Sequence, residues 1–184
     1  MTATDPLAAA RRHVEAAPGP EPERARILAF LDQHPDALER ACLPGHLTGS
    51  AAVLDAEGRR ALLLLHAKLG VWLQPGGHAD GMPDLAVVAL AEATEETGIR
   101  GLHLSPVPID LDVHHVAPPG EGPHLHLDVR YLAIAPPGAE PVGNHESHDL
   151  RWITRPEIDG FPTDPSTKRL LRAAFRGFRS SACR

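Results

Sequence analysis

Three glutamates lie close together in one short stretch of the chain, at Glu92, Glu95 and Glu96. If the stretch is helical, their spacing of three and four residues places all three carboxylates on one face. Adjacent anions on a helix repel one another and cost stability unless a cation lies among them. Carboxylate oxygens are hard ligands that suit Mg²⁺ or Mn²⁺. The cluster therefore predicts a divalent-cation site, although a solvated acidic helix face would give the same pattern.

Glycines flank this acidic cluster on both sides. Gly76 and Gly77 precede it, and Gly98 and Ile99 follow it. Counted from Gly77, the stretch resembles the Nudix box: a glycine, five residues, a glutamate, seven residues, then Arg-Glu-aliphatic-x-Glu-Glu-x-Gly-aliphatic. The alignment over residues 77–99 needs no gap, and all three glutamates fall on their expected positions. On this resemblance the chain is identified as a member of the Nudix (MutT-like) hydrolases.

Two positions of the box depart from the family pattern. Pro83 stands where the first glutamate is expected, and Ala91 stands where the arginine is expected. In many members those two side chains interact and brace the loop against the helix. Their joint loss leaves no surviving charge without its partner, so we interpret it as a structural change and not as loss of activity. Asp84, next to Pro83, is expected to cap the helix instead.

The resemblance implies the cofactor and the residues that hold it. Mg²⁺, with Mn²⁺ as an alternative, is expected on Glu92, Glu95, Glu96 and the backbone carbonyl of Gly77. Glu95 is shared between a ligand role and the role of catalytic base. Members often use a further carboxylate from a distant loop, and Glu146 fits that place as a second catalytic candidate. The alternative for Glu146 is an exposed loop acid.

The implied reaction follows from the charges of a diphosphate linkage. Its clustered oxygens repel an attacking water, and metal ions neutralise them and acidify that water. A carboxylate then takes the proton. We expect cleavage of a phosphoanhydride bond in a nucleoside diphosphate linked to another group, or in a nucleoside triphosphate. A non-catalytic Nudix-like nucleotide-binding module or sensor is the alternative, and an isoprenoid diphosphate isomerase on the same scaffold is a third. The box selects a bond type, and loops outside it choose the leaving group.

Alternating polar residues mark the stretch from His124 to Arg130. In a strand, this alternation puts His124, His126, Asp128 and Arg130 on one face. We predict that this face lines the substrate pocket. His126 is then a substrate contact, and Arg130 binds phosphate through its forked guanidinium. A solvated sheet face is the alternative interpretation.

Other residues near the box are also predicted to touch substrate. His78 follows the glycine pair directly, and Lys68 precedes the box, so each is a candidate phosphate contact. The histidines of two predicted strands offer a different interpretation, a transition-metal site. Its members would be His124 and His126 with His114 or His115. The acidic cluster already supplies a metal site, so we prefer the substrate role for these histidines.

Hydrophobic periodicity predicts the elements that position these residues. Strands are predicted at 47–54, 59–66, 102–112, 125–134 and 150–153, and a Gly/Pro-rich loop at 74–77. Helices are predicted at 7–16, around 27–31 with a continuation at 36–41, at 84–97 and at 165–178. This order predicts a mixed sheet between helices, the α/β/α sandwich that the resemblance also implies. The predicted divisions are an N-terminal helical extension at 1–45, a Nudix hydrolase domain at 46–178 and a C-terminal tail at 179–184.

Composition limits the partners and the compartment. A formal charge of −6 argues against a nucleic-acid-coating protein, whose basic surface supplies its affinity. The only two cysteines, Cys42 and Cys183, do not have the pattern of a disulfide framework, so a reducing cytoplasm is the expected location. No stretch has the ~18 apolar residues of a membrane span, so no membrane partner is expected. A small-molecule nucleotide is the expected ligand, and the resemblance adds the expectation of a homodimer.

Overall fold

The computed structural model describes residues 6–118 and 122–181. Within them the helices are α1 (Pro6–Ala16), α2 (Glu21–Gln33), α3 (Leu85–Thr97) and α4 (Pro165–Ser181). The first strands are β1 (Gly45–Leu54), β2 (Arg60–His66), β3 (Trp72–Leu73) and β4 (Gly76–His78). The later strands are β5 (His103–Leu104), β6 (Asp110–Val116), β7 (His124–Ile134) and β8 (Ser147–Thr154). A single-turn 3₁₀ helix, Arg155–Glu157, leads from β8 towards α4.

One mixed sheet contains the eight described strands. β1 and β7 run parallel and stay in register from Gly45 opposite Leu125 to Leu54 opposite Ile134. The other described pairs are antiparallel. β4 pairs with the middle of β1, whereas β2 pairs with the last residues of β1 on the path β3-β2-β1-β7-β5. Two different strands therefore pair with different parts of β1, and Gly76 and Gly77 lie in one of them, β4.

Apolar side chains pack on both faces of this sheet. One cluster lies beneath α1, α2 and α3 and takes Leu47, Val129 and Tyr131 from the sheet. The other lies beneath α4 and takes Leu54 and Leu132 from the same two strands. Neighbouring residues of a strand point to opposite faces, so β1 and β7 contribute to both clusters. The α/β/α sandwich predicted from the sequence is confirmed.

The N-terminal extension shares the core of the domain. Val14, Ile27 and Leu31 are buried in the same cluster as α3. The hydroxyl of Tyr131 in β7 lies 2.9 Å from Nδ1 of His13 in α1. The predicted boundary at residue 45 therefore does not separate two cores.

Several predicted elements differ from the structure in extent. The predicted helical continuation at 36–41 is wrong, because that segment forms turns. The predicted strand 102–112 is divided into β5 and β6, since Pro106 and Pro108 lack the N–H groups that a ladder needs. α4 continues to Ser181, so the predicted tail begins inside a helix, and 182–184 lie outside the described residues. None of the described helices combines the length and the hydropathy that crossing a membrane requires.

Candidate active site

Both ends of α3, the helix that carries the acidic cluster, are capped. The side chain of Asp84 accepts hydrogen bonds from the backbone N–H groups of Ala86 and Val87, at 3.1 and 3.4 Å. Gly98 ends the helix in the left-handed conformation, with φ of 66°. Both caps agree with the sequence, which offers an Asp after a proline and a glycine after the last turn. Asp84 thus takes the capping position expected of it in place of the missing box glutamate.

The three glutamates of α3 differ in burial. Glu96 is 5 % exposed, Glu92 is half-buried and Glu95 is exposed. Each residue turns about 100° around the helix axis. Glu96 therefore lies nearest to the buried stripe of Ala89 and Ala93, and Glu95 lies farthest from it. The cluster straddles the border between the core and the solvent.

The glycine pair brings the backbone of β4 against the glutamates. The backbone N–H of Gly76 donates to Oε2 of Glu96 at 2.8 Å. A Cβ on Gly77 would lie 2.4 Å from the carboxyl carbon of Glu92. Cβ atoms essentially never come that close to another atom. The carboxylate of Glu92 can therefore lie here only because residue 77 is a glycine. The structure therefore brings Gly77 and the predicted ligands together.

The carboxylates of this site repel one another. Burial raises the pKa of Glu96 to about 8; the charges of Glu92, Glu146 and Glu95 act in the same direction, and the hydrogen bond from Gly76 opposes them. The pKa of Glu92 is also raised, by burial first and then by the charges of Glu95 and Glu146. Crowded acids of this kind fit a divalent cation that takes oxygen ligands.

Glu146 belongs to the loop that enters β8. Its backbone carbonyl accepts a hydrogen bond of 2.8 Å from Ala67, just after the end of β2. This bond fixes the loop on the side of the sheet where the charge of Glu146 acts on the helix glutamates. Lys68 is exposed in the following turn. The pKa of His66 is lowered by burial, and the charges of Glu146 and Lys68 act on it with opposite signs, so both residues lie within reach of His66.

The family model described as "NUDIX domain" matches residues 45–174 of the chain. The chain belongs to the Nudix family. This Nudix domain is similar in structure to a NUDIX-family hydrolase from Clostridium perfringens, at 23 % identity and a TM-score of 0.58, over 74 % of this chain and 97 % of that one. It is also similar to the C. elegans Ap4A hydrolase, at 19 % identity and a TM-score of 0.59, over 73 % and 98 % of the two chains. A third relative is the NUDIX domain of Shewanella oneidensis NrtR, solved with ADP ribose, at 18 % identity and a TM-score of 0.56, over 72 % and 87 %.

At these identities the solved structures show the fold, and the family model shows the membership. The family and the fold predicted from the box are confirmed. The predicted class of enzyme, a hydrolase of acid anhydrides, is the class that membership of the Nudix family supports.

The predicted substrate face of β7 is buried in this Nudix domain. Arg130 is 2 % exposed. Its guanidinium donates to Asp128 at 2.8 Å, to Asp112 at 3.0 Å and to the hydroxyl of Ser166 at 2.6 Å. The solvated-face alternative is therefore wrong. Arg130 is also removed from the predicted substrate contacts, because its donors already bind acids and α4 inside the fold.

His78 and His126 lie together, with a third histidine that the sequence did not single out. The ring centroids of His46 and His78 are 4.9 Å apart, and those of His78 and His126 are 5.0 Å apart. Burial lowers the pKa of His126 to about 2, and the neighbouring histidines add to the effect. His46 faces His126 in the parallel register of β1 and β7. Only that register reveals the contact, because the two residues are far apart in sequence.

The N-terminal extension also reaches the Nudix box. Nε of Arg40 donates to Asp80 at 2.6 Å, and a second guanidinium nitrogen donates to the other carboxylate oxygen at 2.7 Å. The backbone N–H of Gly81 donates to the carbonyl of Leu38 at 3.0 Å. Nε2 of His13 lies 3.4 Å from Asp84 at the start of α3. The sequence offered no signal for these contacts, since the family pattern does not extend into this segment.

Proposed function

We propose that this Nudix domain is a Mg²⁺-dependent hydrolase that cleaves the phosphoanhydride bond of a nucleoside diphosphate linked to another group, or of a nucleoside triphosphate. The observation that carries the proposal is the gathering of Glu92, Glu95, Glu96 and Glu146, in which burial first and then mutual repulsion raise the pKa of Glu92 and Glu96. A divalent cation relieves that repulsion. Mn²⁺ satisfies the same oxygen ligands and is the alternative cofactor.

The proposed ligands are Glu92, Glu95, Glu96 and the backbone carbonyl of Gly77. Bound there, the ion would neutralise the phosphates and acidify a water. The N–H of Gly76 holds one oxygen of Glu96 in place and leaves its second oxygen for the ion. Gly77 has no Cβ to displace the carboxylate of Glu92, which therefore lies against the backbone of β4. The glycine pair thus holds one of the proposed ligands by a hydrogen bond and leaves room for a second.

The remaining residues have roles that follow from their exposure. Glu95 is the most exposed acid of α3, so it can reach a water and accept its proton. Glu146 approaches the cluster from the opposite loop and is the second candidate for that role. Lys68, exposed in the turn after β2, supplies a positive charge for the phosphates of the substrate. His78 and His126 lie close to the box, but on the face of the sheet opposite Glu92, which separates them from the proposed ion.

The solved relatives support a nucleotide as the substrate. One relative is an Ap4A hydrolase, and another domain was solved with ADP ribose. Both compounds contain a phosphoanhydride linkage attached to adenosine. The proposal therefore takes a small nucleotide as the partner of this domain. A cytoplasmic location and a homodimer belong to the same proposal, and sedimentation of the purified chain tests the second.

A nucleotide-binding module without catalysis is the second candidate. The replacements at Pro83 and Ala91 favour it, because the brace between loop and helix is missing from the box. The buried Glu96 opposes it, since a pure binder gains little from acids that repel phosphate. The isomerase alternative needs a reactive thiol, but Cys42 is buried, and burial raises its pKa to about 11. Cys183 lies outside the described residues.

A nucleotide panel with Mg²⁺ tests the proposal directly. We expect phosphate or nucleoside monophosphate release from at least one diphosphate-containing member. Glu96→Gln and Glu92→Gln should lose nearly all of this activity, because each removes a ligand charge while keeping the shape of the side chain. Glu57→Gln, at the exposed turn between β1 and β2, is the matched control and should keep full activity. If the wild type cleaves nothing and a nucleotide still raises its melting temperature, the binding-module candidate is correct.

A further inference from the structure

Five histidines meet on the face of the sheet opposite α3. His46 and His126 are register partners in β1 and β7, and His114 in β6 is the register partner of His126 on the other side. His124 precedes His126 by two residues and shares its face. In β4, His78 pairs with Thr48, which shares a face with His46 because the two are separated by one residue of the strand. Four strands therefore bring imidazoles to one place.

Three of these imidazoles have the spacing of a metal site. One nitrogen from each of His46, His78 and His126 lies within 4.8 Å of the other two. A tetrahedral ion with Zn–N bonds of about 2.0–2.1 Å needs nitrogens roughly 3.4 Å apart. Small rotations of the rings close that difference, since His78 and His126 are only half-buried.

Some ring nitrogens at this cluster have a lone pair that accepts no hydrogen bond. Nδ1 of His124 lies 2.8 Å from the carbonyl of Gly122, which only accepts, so Nδ1 carries the proton. Nε2 of the neutral His124 is then a lone pair, and the residue is only 7 % exposed. Nε2 of His124 and Nε2 of His126 are buried without a hydrogen-bond partner among the described residues. Burying such acceptors is costly unless something binds them.

We propose that His46, His78 and His126 form a second metal site, which binds a divalent transition-metal ion of the Zn²⁺ class. Neutral imidazoles prefer such ions, whereas Mg²⁺ prefers carboxylates and water. The site is distinct from the acidic cluster, because Gly77 faces Glu92 and the next residue, His78, faces the opposite side of the sheet. His124 stands beside the trio, with its ring centroid 4.8 Å from that of His46, and is available for a fourth position.

The proposed ion would join β1, β4 and β7 next to the glycine pair of the box. β4 is only three residues long, so a cross-link through His78 holds it on β1 more firmly than its few hydrogen bonds do. The ion therefore acts as a clamp on the backbone that approaches Glu92 and Glu96. This inference stands on the histidines alone and does not depend on which substrate, if any, the acidic cluster cleaves.

Zinc content and stability of the untagged full chain test the site, since a histidine tag would bind zinc itself. After removal of metal with a chelator and dialysis against Zn²⁺, we expect close to one zinc per chain. The melting temperature should rise on zinc addition. Imidazole nitrogen signals in NMR should shift for the three named histidines. Retention of well under a tenth of an equivalent, or unchanged imidazole signals, would overturn the proposal.

Two variants separate this site from the acidic cluster. His78→Ala, at the half-buried end of β4, should weaken zinc binding at least tenfold and abolish the zinc-induced rise in melting temperature. His115→Ala, at an exposed position of β6, is the control and should bind zinc as the wild type does. Glu92→Gln should keep its zinc while losing Mg²⁺-dependent hydrolysis. If zinc is instead lost in Glu92→Gln and kept in His78→Ala, the ion occupies the glutamates and the histidine site is refuted.

Discussion

The absence of a side chain at Gly77 gives the carboxylate of Glu92 its place against β4. A Cβ there would lie 2.5 Å from one oxygen of that carboxylate and 2.8 Å from the other. We predict that Gly77→Ala moves Glu92 away from the cluster and lowers kcat by more than tenfold, with a weaker response to Mg²⁺. Steady-state hydrolysis measured across a Mg²⁺ titration checks this outcome.

Gly160→Ala is the control for that substitution. Gly160 lies in an exposed turn after the 3₁₀ helix, and a Cβ there would meet nothing within 4 Å. Its activity and Mg²⁺ response should match those of the wild type. Equal activity in Gly77→Ala would show that Glu92 does not need its observed position, and the ligand assignment would fail with it.

Arg130 is expected to stabilise the fold and not to bind substrate. It is enclosed by Asp110, Asp112 and Asp128, and removing it leaves buried negative charges uncompensated. We predict that Arg130→Met destabilises the fold by about 3–5 kcal/mol. Urea unfolding measures this loss, and Arg59→Met, at an exposed arginine, should change stability by less than ~0.5 kcal/mol. If Arg130→Met were as stable as the wild type and only its KM were higher, the result would support the phosphate contact predicted from the sequence.

The N-terminal extension contacts the loop at which the box lacks its usual brace. Pro83 and Ala91 remove the usual contact between loop and helix, and the extension supplies other contacts at the same loop. Arg40 binds Asp80 through two nitrogens. His13 lies beside the cap residue Asp84. We infer that these contacts hold the loop and the start of α3 in the position that the missing pair would otherwise maintain.

Breaking the contact between the extension and the loop should affect activity more than stability. Both partners of the Arg40–Asp80 pair are exposed, and pairs of that kind contribute only ~0–1 kcal/mol. We predict that Arg40→Gln lowers kcat several-fold with a shift in melting temperature of at most a few degrees. Arg11→Gln breaks the comparable Arg11–Asp32 pair between α1 and α2 and should leave kcat unchanged. Equal kcat values for the two variants would mean that the loop is braced by something else.

The elements of this fold differ in how well their sequences predict them. The sequence predicts α3 almost to the residue, because an N-cap, a run of apolar residues and a glycine stop mark it locally. It does not predict β4, since the Gly76–His78 backbone becomes a strand only by pairing with β1. Periodicity likewise cannot tell that Glu96 is buried and Glu95 exposed, because this depends on which side of α3 meets the sheet. Local signals predict elements, and tertiary contacts decide the rest.

On the scale of the whole molecule, the sheet face opposite α3 carries different kinds of side chain along β1, β6 and β7. The histidines lie at one end, the network around Arg130 lies in the middle, and apolar residues under α4 lie at the other end. The sequence predicts the alternation within β7 but not what covers it, because α4 lies far along the chain. Arg169 of α4 donates to Asp110 at 3.1 Å and to Asp112 at 3.0 Å. The network therefore fastens the last helix to the sheet.

This network should make the stability of the whole chain depend on acid pH. Although burial alone would raise it, the hydrogen bond with His114 and the charge of Arg130 hold the pKa of Asp112 well below its usual range. A carboxyl whose pKa is lower in the folded chain stabilises it above the unfolded pKa of ~3.9 and loses that contribution as pH falls further. We predict that Asp112→Asn is less stable than the wild type at pH 7, and that the difference narrows below about pH 4. Urea unfolding from pH 7 to pH 3 measures it, with exposed Asp159→Asn as the control that stays close to the wild type throughout. A difference that stayed constant over this range would show that the ionised state of Asp112 does not fasten α4.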